Sequence, residues 1–139
     1  AGNTLTQRCF CTNKNEVIVR MNIEGMVDGQ KAGLCHYSKS YAMVGVRQSG
    51  KDRNLEFQTN KEKITGPAIK GNKVWIKSVW GLDGKSQFSY STDGRKFTPF
   101  GEVYQLEWGY YRGSRIGIYC FNNIADAGYI DVDEFIYLY

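Results

Sequence analysis

Apolar residues in this chain recur at every second position and almost nowhere at helical spacing. In NEVIVRMNI, Val17, Val19, Met21 and Ile23 share one face. SQFSYST sets Phe88 and Tyr90 against Gln87, Ser89 and Ser91, and RIGIYCF sets Ile116, Ile118 and Cys120 against Gly117, Tyr119 and Phe121. The C-terminal YIDVDEFIYLY places Ile130, Val132, Ile136 and Leu138 on one face and Tyr129, Asp131, Asp133, Phe135, Tyr137 and Tyr139 on the other. A period of two is the signature of half-buried strands. Turn signals separate the runs: VDGQ, SGKD, KGN, LDGK and TDGR. Asp-Gly supplies the positive backbone angle that a two-residue hairpin loop demands. Roughly eight to ten short strands at this spacing predict an all-β sandwich or barrel.

At 139 residues the chain is expected to form a single domain, residues 1–139, with a sizeable core. No linker or low-complexity tract divides it, and the similar LDGKSQF and TDGRKF hairpins do not make a repeat. The net charge of +4 is spread along the chain, with no basic run longer than two residues. That pattern argues against a nucleic-acid partner, which would want a clustered stripe. No apolar run approaches the ~20 residues of a membrane-crossing helix, so no membrane partner is expected. Residue 1 opens in polar sequence, without a visible signal peptide.

Four cysteines, Cys9, Cys11, Cys35 and Cys120, stand beside a single histidine, His36. Cys9 and Cys11 are expected on one face of a strand, too close to bridge each other. No Cys-x-x-Cys pair is present, so no zinc site, other metal or cofactor is expected. Buried free thiols are the first expectation, and a Cys35–Cys120 disulfide stays open. His36 reads as a surface or internally satisfied polar residue, since no nucleophile triad surrounds it.

Glycoside hydrolysis needs two carboxyl groups ~5–9.5 Å apart. Asp131 and Asp133, at i and i+2, share a strand face by alternation, with Glu134 opposite them. An ExDxxE catalytic strand would need a glutamate where Tyr129 stands, so the two aspartates read as structural. Two aspartates on one strand also fall short of the six to eight oxygens that calcium takes. No catalytic residue is assigned.

The stretch LEWGYYRGSRIG holds Trp108, Tyr110, Tyr111 and Arg112 together, and Asn122 and Asn123 close the following strand. Aromatic rings stack on the C–H faces of sugars, while guanidinium and amide groups bind their hydroxyls. The same residue types are enriched in protein interfaces. Sugar binding, docking and plain packing all remain open for this loop. Trp75 and Trp80 have odd spacing and therefore face opposite ways, one into the core, without an indication of which. Tyr37 and Tyr41 flank a turn and read as local packing.

The stretch SYSTDGRKFTPFGEVYQLEWGYYRGSRIGIYCFNN, followed by AGYIDVDEFIY, resembles the C-terminal module of glycoside hydrolase family 43 enzymes, the β-xylosidases and α-L-arabinofuranosidases. GNTLTQR, MVDGQKAGL and YAMVGVR follow the order of the same module, so the resemblance covers nearly the whole chain. It implies a concanavalin A-like jelly-roll sandwich of two antiparallel sheets. It also implies a non-catalytic accessory role beside a five-bladed catalytic propeller that carries the reacting carboxylates. By position, Tyr110 and Tyr111 match the family loop that faces the propeller and can reach its pocket. The implied partners are that propeller and plant xylan or arabinan, in an extracellular or periplasmic setting. An autonomous carbohydrate-binding module or a purely structural interaction domain are the alternatives. Modules of the family usually begin with further strands before the segment matching NTLTQR. An exposed ladder edge is therefore expected here, completed by strands from another chain or by a strand-paired dimer.

Overall fold

A computed structural model describes residues 3–108 and 113–139, with the backbone alone for Asn3 and Thr4. Twelve strands occur among the described residues, and no helix. They are β1 (Asn3–Arg8), β2 (Asn15–Asn22), β3 (Gln30–Tyr37), β4 (Tyr41–Ser49), β5 (Asp52–Thr59) and β6 (Lys63–Ala68), then β7 (Lys73–Trp80), β8 (Lys85–Ser91), β9 (Thr98–Pro99), β10 (Tyr104–Gln105), β11 (Arg115–Asn122) and β12 (Asp131–Leu138). The surplus over ten strands is β9 and β10, of two residues each. One sheet runs β1-β11-β3-β4-β5-β6 and the other β10-β8-β7-β2-β12, with β9 also on β8. Every pairing is antiparallel. Two packed antiparallel sheets make the expected concanavalin A-like sandwich.

The inward faces follow the alternation read from sequence. On β2, Val17, Val19 and Met21 are fully buried, as is Ile23 just beyond its end. Opposite them stand Leu34 of β3, Val44 of β4, Phe57 of β5 and Ile116 of β11. Each such side chain contributes roughly 1.5–3 kcal/mol on leaving water, so this layer dominates the stability. Trp80 is the core-facing tryptophan of β7, while Trp75 is half-buried on the outer face, with the Arg20 guanidinium 5.8 Å from its ring centre. Pro99 sits in the short outlying strand β9, where a missing N–H costs no ladder bond. Gly128 takes φ +87°, and a β-carbon there would run into the Gln30 side chain.

Two expectations need correction, the first and third below, and one open alternative, the second, closes. First, β1 ends at Arg8, so Cys9 and Cys11 do not share a strand face; Cys9 is buried and Cys11 exposed. The Cys9 N–H leaves the ladder and donates to the Ser114 carbonyl at 2.9 Å. Second, Cys35 and Cys120 do not bridge: all four cysteines are free. Cys35 lies opposite Gly117 and Cys120 opposite Ala32, which puts them on opposite faces of one sheet. Third, the alternation of β12 is broken by a bulge. Val132 pairs with Met21 but Glu134 pairs with Arg20, leaving Asp133 as the extra residue. One inserted residue swaps the faces of everything after it. Val132, Phe135 and Tyr137 therefore face inward, while Ile136 and Leu138 face out. Asp131 and Glu134 now share the outer face, and Asp133 turns to Arg20, Oδ2 to Nε 3.4 Å.

Candidate functional site

Turns far apart in sequence meet at one end of the sandwich. They are the β3–β4 turn, the β5–β6 turn and the segment after β10. Ser40, Tyr41, Thr59, Asn60, Lys61, Tyr104, Gln105 and Glu107 line a pocket there of about 360 Å³. The alternation that buries Tyr104 and Leu106 turns Gln105 and Glu107 outward into reach of this pocket. The Tyr104 hydroxyl donates to the Ser40 carbonyl at 3.1 Å and lies 2.7 Å from Ser40 Oγ. Ser40 Oγ also donates to Glu107 Oε1 at 3.4 Å. The Tyr41 N–H donates to Asn60 Oδ1 at 2.8 Å, and Gln58 Nε2 donates to the Tyr41 hydroxyl at 3.3 Å. Hydroxyl, amide, carboxylate and ammonium side chains thus line the pocket together with Tyr41.

Beside this pocket, the residues that flank the aromatic loop are clamped to each other. The Glu107 N–H donates to Ser114 Oγ at 3.0 Å, and that hydroxyl donates back to the Glu107 carbonyl at 3.1 Å. Trp108 packs half-buried against the core, its Nε1 donating to the Leu82 carbonyl at 3.2 Å. Tyr110, Tyr111 and Arg112 lie outside the described residues.

Asn122 and Asn123 are not brought to this loop. They stand at the far end of β11, about 24 Å along the strand from Arg115. Asn122 Nδ2 donates to the Asp28 and Ala127 carbonyls, at 3.0 and 3.1 Å. Its Oδ1 accepts from the N–H groups of Ile124 and Ala125. The side chain thus holds the turn after β11, beside a second pocket of about 310 Å³ that Gln30, Cys120 and Asp126 also line. Asn123 is exposed, its N–H donating to the Gly29 carbonyl at 3.1 Å.

Tyr41, Asn60, Lys61, Tyr104 and Glu107 were missed as a group because the turns that carry them give no joint signal in sequence. A second unforeseen cluster lies on the outer face of the six-stranded sheet. Lys31 Nζ approaches Glu56 Oε1 at 2.7 Å and donates to Gln58 Oε1 at 3.1 Å, with both charged side chains over nine-tenths buried. Glu56 Oε2 has no hydrogen bond and lies 3.6 Å from Arg47 Nη1. Burial, with the Cys35 and Glu56 charges adding to it, raises the Tyr119 phenol well above the usual tyrosine range.

His36 is a core residue, satisfied from inside. Its Nδ1 lies 3.5 Å from Cys9 Sγ, and its Nε2 2.7 Å from Ser78 Oγ, which in turn lies 2.7 Å from Ser86 Oγ. Burial pulls its pKa down to about 3, against a smaller upward pull from the Arg115 backbone. The ring is therefore neutral in ordinary buffers. Near the loop-end pocket, a hydrogen bond that the protonated Glu62 carboxyl donates to Glu102, with desolvation and the Glu102 charge adding to it, holds Glu62 above the ordinary range. Groups close enough to share a proton stand closer than the ~5 Å that flanking a glycosidic bond requires.

Comparison with known proteins gives this geometry a family. The profile of the β-xylosidase C-terminal concanavalin A-like domain matches residues 1–138. A β-xylosidase of Formosa agariphila is 33% identical over 141 residues, covering 100% of this chain and 24% of that protein. The chain thus spans about a quarter of the length of this curated relative. Among solved structures, a bifunctional GH43-CE protein of Bacteroides eggerthii superposes with TM-score 0.86 at 25% identity, over 98% of this chain and 19% of that one. A family 43 glycoside hydrolase engineered for endo-xylanase and exo-arabinofuranosidase activity also gives TM-score 0.86, at 24% identity over 98% of this chain and 31% of that one. The two-sheet sandwich is therefore that of the C-terminal concanavalin A-like module of glycoside hydrolase family 43 β-xylosidases, the family to which this chain belongs.

Proposed function

We propose that residues 1–139 act as one module that buttresses a family 43 catalytic propeller and lends its β10–β11 loop to the propeller's substrate pocket. The observation that supports this most is the pocket at the foot of that loop, where Tyr41, Asn60, Lys61 and Glu107 offer one ring and several hydrogen-bonding groups. Such a mix suits a polyhydroxylated ligand, a xylose or arabinose unit of plant polysaccharide. Trp108 is held at the core and the Leu82 carbonyl, and in this reading Tyr110, Tyr111 and Arg112 are the residues that meet propeller or sugar. In this reading the reacting carboxylates belong to the propeller, and the module alone is inactive. The names of its relatives, a β-xylosidase and an enzyme with endo-xylanase and exo-arabinofuranosidase activity, support xylan or arabinan as the polysaccharide, and an extracellular or periplasmic setting goes with that reading.

Two measurements test the reading. The isolated chain is titrated calorimetrically with xylo- and arabino-oligosaccharides, and the full-length enzyme is assayed on the same substrates with Tyr110→Ala, Tyr111→Ala and Glu107→Ala. Reduced kcat/KM in the full-length variants, without saturable binding by the isolated chain, is the expected pattern. Tight binding by the isolated chain, lost in Tyr41→Ala, makes it a carbohydrate-binding module in its own right. Unchanged kinetics and no binding leave only a structural domain.

A further inference from the structure

The two outer faces of the sandwich differ in charge. On the six-stranded sheet, alternation turns Arg8, Lys31, Arg47, Lys63 and Arg115 outward, against two carboxylates on the same strands, Asp52 and Glu56. On the other sheet Arg20, Lys73, Lys77 and Lys85 are matched by Glu16, Asp131, Asp133 and Glu134. Charges there also cancel in pairs, Arg20 with Asp133 at 3.4 Å and Lys77 with Glu16 at 3.5 Å. On the six-stranded sheet Lys31 and Arg47 share the carboxylate of Glu56, and among the described residues Arg8, Lys63 and Arg115 enter no ion pair. Basic residues scattered along the sequence are thus gathered on one face, and they outnumber its carboxylates by three.

The middle of this face is low. Gly117, Gly33 and Gly45 hold outward positions on the neighbouring strands β11, β3 and β4, and Tyr119 lies across the last two. Arg8 and Arg115 stand at one end of the face. Lys31 and Arg47 stand at the other, six residues and about 20 Å along the strands. The first end adjoins the loop-end pocket, because Arg115 pairs with Tyr37 and Tyr37 with Tyr41 of that pocket. At the second end Arg47 leans on Glu56 Oε2 at 3.6 Å with its side chain 45% exposed, so the guanidinium is held yet open to solvent. None of the large apolar residues exposed among the described ones lies on this face. Leu5, Val132 and Phe135 point inward, Leu138 points out from the other sheet, and the remainder lie outside the strands. The core of a protein interface is depleted of charge and built on apolar and aromatic anchors. A basic face without such anchors suits a hydrated polyanion instead.

We propose that the outer face of the six-stranded sheet binds an acidic polysaccharide, one whose sugar units carry carboxylate groups, laid from the loop-end pocket toward Arg47. Guanidinium groups take carboxylates through paired hydrogen bonds, and the lysine and arginine side chains around the low middle meet the anions on either side of the chain. The inference rests on the polysaccharide reading above and adds the charge of the glycan to it. Uncharged xylo- and arabino-oligosaccharides offer these cations no anion, so their titration tests the pocket and not this face.

Calorimetric titration with xylan bearing glucuronic acid, and with the same xylan after its carboxyl groups are reduced to alcohols, tests the proposal on the 139-residue chain and on the full-length enzyme. The expected result is binding of the acidic xylan by both proteins, weakened by salt as the screening length shrinks, and little binding of the reduced one. Arg47→Gln/Lys63→Gln weakens it about fivefold or more by removing two charge contacts. Arg8→Gln/Lys63→Gln, which breaks no ion pair, does the same and keeps the test intact if loss of Arg47 disturbs Glu56. Lys73→Gln/Lys85→Gln removes the same net charge from the opposite outer face and leaves binding unchanged. Equal binding of the two xylans, or binding of neither, overturns the proposal. So does an equal loss in Lys73→Gln/Lys85→Gln, which makes the attraction one of net charge alone. Binding that the full-length enzyme lacks also overturns it, because the rest of the enzyme then covers the face. Any of these results beside reduced kcat/KM in the loop variants strikes this inference and leaves the accessory role standing.

Discussion

The hydroxyl of Tyr119 lies 2.5 Å from the point that a β-carbon on Gly45 would occupy, and 2.9 Å from the corresponding point on Gly33. Gly33 and Gly45 are ladder partners, so the phenol rests across a floor from which both side chains have been removed. A β-carbon at Gly45 would also collide with the Ala32 carbonyl. Gly45→Ala is therefore expected to cost about 1–3 kcal/mol through overpacking, read as a lowered melting temperature. Adding Tyr119→Phe does not restore it, because the backbone clash persists. Full recovery in the double variant would show that the hydroxyl alone sets the requirement.

Lys31 and Glu56 form their ion pair on a face where most charged residues reach water. Removing one partner leaves the other buried and uncompensated, so Lys31→Met or Glu56→Gln is expected to cost roughly 3–5 kcal/mol in urea unfolding. The double variant Lys31→Met/Glu56→Leu is expected to recover most of that loss. Two small single losses that simply add would show instead that the pair is solvated in solution.

His36 gives the module an acid sensitivity with a definite window. Its folded pKa, about 3, lies below the ordinary 6.5, so the unfolded chain binds the extra proton between those values. Stability is then full above pH 6.5 and falls as pH drops from 6.5 toward 3. Asp93, held near 2 by the Lys96 and Arg95 backbone N–H groups and the Ser91 hydroxyl, acts only at the acid end of the range. Melting curves of His36→Gln are expected to start lower at neutral pH but to lose the slope in the upper part of this window. A variant with the wild-type slope would assign it to other groups.

The thiols are expected to report the fold in order. Cys11 is exposed, whereas burial pushes Cys9 and Cys35 up to about 12. Under native conditions a disulfide reagent is expected to label Cys11 first and Cys120, half-buried beside Gln30, more slowly. Cys9 and Cys35 become reactive only on unfolding. Prompt labelling of all four would contradict the buried positions of both.

Where one side chain's surroundings are set by its own strand, the sequence was informative. Val17, Val19, Met21 and Ile23 read as a buried face and are one, because a period of two survives any partner. The Asp-Gly turns at 83–84 and 93–94 likewise fall between strands, with both glycines at positive φ. What was lost depended on partners. The bulge at Asp133 exists only against β2, so alternation alone misplaced Ile136, Leu138 and Glu134. Nothing local said which of Trp75 and Trp80 points inward. Asn122 looked close to the aromatic loop in sequence, yet one strand's length carries it to the opposite end. The loop-end pocket joins positions 40, 60 and 107, and only tertiary folding puts them together. A hint existed in the two glycines of β3 and β4 at matched hairpin positions with a later tyrosine, a pattern that asks for an aromatic cover.

Asp133 works like a frameshift in space. Ahead of it the inward side chain is even-numbered, Val132; behind it the inward ones are odd-numbered, Phe135 and Tyr137. Were Asp133 instead taken into the ladder opposite Arg20, every later amino acid would stay the same and change its face. Tyr137 would swing to the outside and give up both its edge contact with Trp80 and the Phe10 N–H that it accepts. Ile136 would take its place against the core with no hydroxyl to offer. The latch between the two sheets is therefore set by the bulge in β12 as much as by the identity of its residues.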